Sequence, residues 1–133
     1  MHKKLPGINI QAPWARLLLD RTKQIETRTY ALPAKYAGQN LWLIETPGKL
    51  GNFKARVIGT IRFSECKEYT SKDEFYEDFD LHLISPDNKD YAWRPEVKKF
   101  GWIVDQVQKV EEFVAPCPRG IVYASPFEAS IVR

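Results

Sequence analysis

Nine prolines and seven glycines divide this 133-residue chain into short elements, and that punctuation is the strongest constraint on its fold. Each proline fixes φ and removes a backbone donor, so a long helix or a long uninterrupted sheet ladder has few places to run. The segments between the breaks mostly carry strand patterns. Residues 7–11 alternate briefly, and Leu41-Trp42-Leu43-Ile44-Glu45 is the short apolar run of a central strand, ended by Pro47-Gly48. Lys54 to Phe63 forms a longer β segment with Gly59 as a bulge candidate, and Lys23 to Tyr30 is a polar strand. Trp102 to Val110, Phe113-Val114 and Gly120 to Ala124 are also β-like, broken at Pro116-Cys117-Pro118.

Two helices are expected. Pro13 suits a first helical position and opens Trp14 to Arg21, with Trp14, Leu17 and Leu18 on one side. Ser71 and Glu74 form a capping box, after which Phe75, Phe79 and Leu83 recur every four residues until Ser85-Pro86. Residues 86–99 are a polar loop containing Trp93. About five or six strands against two short helices predict a single α+β domain built on a small, strongly curved sheet or barrel.

Composition excludes several classes. The longest apolar runs fall far short of the ~20 residues that span a bilayer, so no membrane role is expected. The basic N-terminus lacks an apolar h-region, so no signal peptide is expected. Two cysteines, Cys66 and Cys117, make no disulfide framework and fit a reducing cytoplasm. Cys66, His82, Cys117 and His2 show no metal-ligand spacing, and there is no G-x-G-x-x-G or P-loop, so no metal or cofactor is expected. Any catalysis would therefore come from Lys, Glu, Asp, Thr or Tyr.

The densest polar cluster is Lys23-Gln24-Ile25-Glu26-Thr27-Arg28-Thr29-Tyr30. In a strand, period two puts Gln24, Glu26, Arg28 and Tyr30 on one face, with Thr27 on the other. Lys23 has the wrong parity to join Glu26 unless it still lies in the turn leaving the helix. The plain alternative is a solvated face held by a Glu26–Arg28 pair.

Gln11-Ala12-Pro13-Trp14-Ala15, leading into Lys23-Gln24-Ile25-Glu26-Thr27-Arg28, resembles the signature of ASCH domains in the PUA-like superfamily: Q-P-W-A, a short helix, then G-x-K-x-x-E-x-R. Val57-Ile58-Gly59-Thr60-Ile61 with Cys66, then Phe100-Gly101-Trp102-Ile103-Val104 and Pro116-Cys117-Pro118-Arg119-Gly120, resemble later segments of the family, so the likeness covers nearly the whole chain. The resemblance implies a partly open PUA-like β-barrel with helices at its rim and a cleft lined by Lys23, Glu26 and Arg28. It also implies a role around RNA or modified nucleosides. Some small members are amidohydrolases that remove the acetyl group of N4-acetylcytidine with a Lys, a Thr and a Glu; another is a nuclease on single-stranded RNA. Here the position of that Thr holds Glu26. The helix that should supply the family Glu offers Glu74, already used in the capping box, and Glu77.

Three functions follow. In a module binding RNA or a nucleoside- or nucleotide-like ligand, Arg28 and Arg119 would hold phosphate, while Lys23, Glu26 and Gln11 would meet the base or sugar. Trp14, Tyr30, Trp93 and Trp102 are the candidate stacking platforms. In a metal-independent amidohydrolase or ribonuclease, Lys23 and Glu26 would be catalytic. In an adaptor, a protein partner would dock on the acidic helix bearing Asp73, Glu74, Glu77, Asp78 and Asp80. The net charge of +3 divides unevenly: residues 1–60 carry ten Lys and Arg against three Asp and Glu, and residues 61–133 ten against fourteen. The basic part holds the signature, which suits an anionic ligand.

Overall fold

The computed structural model describes residues 2–48, 51–116 and 122–130. Its elements run β1 (His2–Gln11), α1 (Trp14–Leu19), β2 (Ile25–Arg28), a 3-10 turn (Ala34–Tyr36), β3 (Asn40–Thr46), β4 (Arg56–Tyr69), α2 (Lys72–Glu77), α3 (Phe79–His82), β5 (Lys99–Val114) and β6 (Tyr123–Ser130). The six strands form one sheet in the order β2-β5-β4-β3-β1-β6. Among the described residues β1 pairs β3 in parallel, and the other pairings are antiparallel. The sheet is curved but not closed, an α+β architecture consistent with a PUA-like barrel. Among the described residues no helix is long and apolar enough to cross a membrane.

Burial explains the centre. In β3, Leu41, Trp42, Leu43 and Ile44 are all fully buried, because both faces of this strand are covered. Leu41 and Leu43 join Ile8, Leu18, Ile58, Phe63 and Trp102 on the side of α1. Trp42 and Ile44 join Val57 and Val110 on the other, where Phe127 stacks on Trp42 at 5.9 Å and Phe113 meets it edge-on at 6.0 Å. Gly59 marks a register shift between β4 and β5, as its pattern predicted. A Cβ there would sit 2.5 Å from the Gln108 carbonyl oxygen and 2.7 Å from Leu19 Cδ1, so glycine lets α1 press onto the sheet.

Several boundaries differ from the sequence pattern. β1 starts at His2 and passes through Pro6, tolerated because the register shifts between Leu5 and Gly7. β5 runs unbroken across 110–113. α1 ends at Leu19, and Ala15 and Leu18 are its buried residues, with Trp14 and Leu17 half-buried. The expected helix at 71–85 divides at Asp78, whose carboxylate accepts from the Tyr69 hydroxyl at 2.6 Å and pairs with Lys67. That tether ties the chain to β4 and interrupts the stripe: Phe75 is buried, but Phe79 is 39% exposed and His82 takes the inward place. The capping box is also modified. Ser71 Oγ accepts from the Glu74 N–H at 3.1 Å, while the Glu74 carboxylate accepts from the N–H of Thr70 at 2.8 Å. Cys117, Pro118, Arg119 and Gly120 lie outside the described residues.

Candidate functional site

The polar strand is shorter than expected, and the shortening places Lys23. Asp20 Oδ1 accepts from the Thr22 N–H at 2.9 Å, and Arg21 takes a left-handed φ of 66°. The Lys23 N–H then donates to the Leu17 carbonyl at 2.9 Å and the Gln24 N–H to the Leu81 carbonyl at 2.7 Å. With its backbone bound to two helices, Lys23 precedes the strand, so strand parity does not apply to it. β2 begins at Ile25, and its alternation puts Glu26 and Arg28 on one face.

Lys23 is 1% exposed. Its ammonium donates to the His82 backbone carbonyl and lies 4.8 Å from the centre of the Trp14 ring. The carbonyl is presented by a turn in which Leu83 has φ 63°. His82 locks that turn: Nε2 lies 2.7 Å from the Phe75 carbonyl, and Nδ1 accepts from the Ile84 N–H at 2.9 Å. Those partners assign the neutral tautomer with its proton on Nε2, and burial pushes the His82 pKa down. Burial also pushes the Lys23 ammonium down to about 8; Arg28 adds to the effect and Glu26 opposes it.

Glu26 is 7% exposed and pairs with Arg28, the Nε and Nη2 of which lie 3.1 and 2.9 Å from Glu26 Oε2. Desolvation works against the Arg28 charge, but Glu26, Tyr30 and Tyr123 together outweigh it and the Arg28 pKa is raised. Arg28 Nη2 also approaches the Asn9 carbonyl at 3.4 Å, bridging edge strand β2 to β1 where the sheet fails to close. Behind it, the guanidinium lies 5.6 Å from the Trp102 ring.

Lys23, Glu26 and Arg28 open into a cleft of about 780 Å³, within the ordinary range for small-molecule sites. Gln11 and Trp14 line it as well. Tyr91, from the loop after α3, meets Trp14 edge-on at 6.2 Å and donates from its hydroxyl to Gln11 Oε1 at 3.3 Å. The Asn88 side chain fixes that loop by accepting from the Tyr91 N–H at 2.7 Å. Desolvation, with Asp90 nearby, raises the Tyr91 pKa, so the hydroxyl stays protonated as a donor.

The backbone trace matches solved structures. The ASCH protein from Zymomonas mobilis superimposes with a TM-score of 0.64 at 15% identity, covering 84% of this chain and 73% of that one. Two single-residue variants of the same protein give TM-scores of 0.64 and 0.60, also at 15% identity and 84% of this chain, covering 76% and 74% of theirs. This chain has the ASCH fold. No protein-family model matches the sequence, and no curated protein sequence does either.

On this ASCH fold the residues singled out from sequence separate into groups. Gln11, Trp14, Lys23, Glu26 and Arg28 share the cleft. Trp102 does not reach it: it is fully buried, with its Nε1–H donating to the Tyr30 carbonyl at 3.2 Å, so it supports Arg28 from the core and offers no face to a ligand. Tyr30, 38% exposed, packs edge-on against Trp102 at 5.6 Å and lies outside the cleft lining. Trp93 is half-buried against Phe75 rather than exposed. Arg119 lies outside the described residues. Thr27 contributes to the cleft wall although β2 alternation separates it from Glu26. Tyr91 and the His82 carbonyl are the parts that sequence reasoning missed; Asn88, a turn-forming residue type whose side chain accepts from the Asp90 and Tyr91 N–H groups, is the local signal that could have pointed to an ordered loop. Among the described residues no cluster of three or more His, Cys, Asp or Glu side chains could hold a metal ion.

Proposed function

We propose that the cleft binds a nucleoside or nucleotide unit of RNA. The observation that carries this reading is a fully buried lysine at the floor of an open cleft, beside a carboxylate–guanidinium pair and two aromatic rings. Both contacts from Arg28 fall on Glu26 Oε2, which leaves Oε1 to accept from an exocyclic amine or a sugar hydroxyl. Lys23 and the Gln11 amide supply donors to ring or carbonyl oxygens, and Trp14 with Tyr91 supplies the aromatic wall. Such mixed edges suit an unpaired base, which is recognised by stacking and by hydrogen bonds to its polar edges. Among the described residues of the lining, three cations, Lys23, Arg28 and Lys54, against one carboxylate, Glu26, favour a ligand that carries phosphate.

One observation favours a second reading, metal-independent hydrolysis. With its pKa near 8, Lys23 carries a free amine in about a tenth of molecules at pH 7, enough for a base or nucleophile. Glu26, whose charge acts on Lys23 across the shared cleft, is the carboxylate available for proton transfer. Incubation with a panel of modified nucleosides, N4-acetylcytidine first, followed by mass spectrometry of the retained and released material separates the two. Retention of an unaltered nucleoside supports the binding reading. A product that disappears in Lys23→Met makes the site a hydrolase, and neither retention nor product overturns both readings.

A further inference from the structure

We propose that the cleft holds a second base subsite on the segment between β3 and β4, built from Phe53 and Lys54, so that its ligand is a single-stranded oligonucleotide of at least two nucleotides rather than a free nucleoside. This inference rests on the nucleoside reading of the Lys23 end. The cleft is lined not only by Lys23, Glu26 and Arg28 but also by Asn52, Phe53 and Lys54, which precede β4, and by Val114 from the end of β5. A volume of about 780 Å³ lies in the upper part of the range that encloses drug-sized ligands, and a nucleoside is smaller than those.

The chemistry of this part of the lining fits a nucleotide. Phe53 is half-buried and presents a ring to the cleft lining, and Val114 is 58% exposed at its edge, an apolar surface that no other described element covers. Lys54 is exposed and has no carboxylate partner among the described residues, so its charge is available to a phosphate. Arg28 lines the same cleft and offers a second cation, to the linking phosphodiester of a bound dinucleotide. Among the described residues that line the cleft, Glu26 is the only acidic one.

Residues 51–55, which carry the proposed subsite, are also held at both ends, which lowers the ordering cost of binding. Gly51 packs against Pro47 so closely that a Cβ would lie 2.5 Å from the Pro47 carbonyl oxygen. At the other end, the Ala115 N–H donates to the Ala55 carbonyl at 2.9 Å, fastening the segment to the end of β5.

The test titrates the sixteen ribodinucleoside monophosphates and the four ribonucleosides into the unaltered protein, Phe53→Ala and Lys54→Ala. In the unaltered protein the best dinucleotide should bind about tenfold more tightly than either of its nucleosides, as one added stacked base implies. Phe53→Ala should erase that gain and leave nucleoside affinity unchanged. Lys54→Ala should weaken the dinucleotide alone and reduce the salt slope by about 0.7, the value of one phosphate contact. A dinucleotide that binds no better than its nucleosides overturns the second subsite while the nucleoside reading stands. A Phe53→Ala protein that loses nucleoside and dinucleotide affinity equally also overturns it, and binding of neither ligand removes both.

Discussion

Lys23→Met should leave the melting temperature unchanged or raise it by a few degrees at pH 7. In the unfolded chain the ammonium has its ordinary pKa of 10.5, and in the folded chain burial lowers it to about 8. The unfolded state therefore binds more protons between those values. Stability rises as pH climbs from about 8 to about 10.5, and the full penalty applies below about 8. At pH 7 that penalty is about 3 kcal/mol. Methionine fills the same space without charge, although it leaves the His82 carbonyl without its donor, at about 1–3 kcal/mol. The net effect lies between zero and a modest gain. Calorimetry of both proteins at pH 7 and pH 9.5 isolates the lysine: the unaltered protein should gain stability relative to Lys23→Met as pH rises. A fall of ten degrees in Lys23→Met at pH 7 would make the lysine a structural strut. A buried cation kept at a cost to stability is the signature of a residue retained for another task.

Arg28→Ala should behave in the opposite way. Its removal leaves the Glu26 carboxylate, whose side chain is 9% exposed, buried without its partner. Breaking such a pair costs about 3 kcal/mol or more, and the bridge to Asn9 across the open edge of the sheet is lost with it. A drop in melting temperature of about ten degrees is expected. Adding Glu26→Gln to Arg28→Ala should recover most of the loss, because the stranded charge is then gone. Urea unfolding of the unaltered protein, the two single variants and the double variant forms a double-mutant cycle; a coupling energy indistinguishable from zero would contradict this account of the pair.

The two predictions divide the polar cluster at 23–30 in a way its sequence could not. The pattern gave Glu26 and Arg28 a common face, because alternation is intrinsic to any strand. It left Lys23 ambiguous, because the backbone bonds from Lys23 to Leu17 and from Gln24 to Leu81 are tertiary. The same cause hid the break at Asp78: local periodicity favoured one helix, and the hydroxyl of Tyr69 overrode it. β3 was legible because it is apolar at both parities. Its neighbours were harder to delimit, since the shifts near Gly7 and Gly59 let strands pass residues that normally end them. Among the aromatics, sequence could not distinguish Trp102, sealed in the core, from Tyr91, brought to the cleft by a polar loop. The charge division was informative in sign but coarse in place, because Arg16 from the basic part is spent on Glu45 and Glu112, and only Lys23, Arg28 and Lys54 line the described cleft.

The central claim is that the buried lysine and its neighbours form a ligand site. Calorimetric titration of the best-retained nucleoside into the unaltered protein and into Lys23→Met, with circular dichroism to verify the fold of each, tests it most directly. The account predicts a loss of affinity of at least about a hundredfold in a protein that is folded and no less stable, consistent with removing a buried charged hydrogen-bond donor from a binding site. Equal affinity in the two proteins would contradict it.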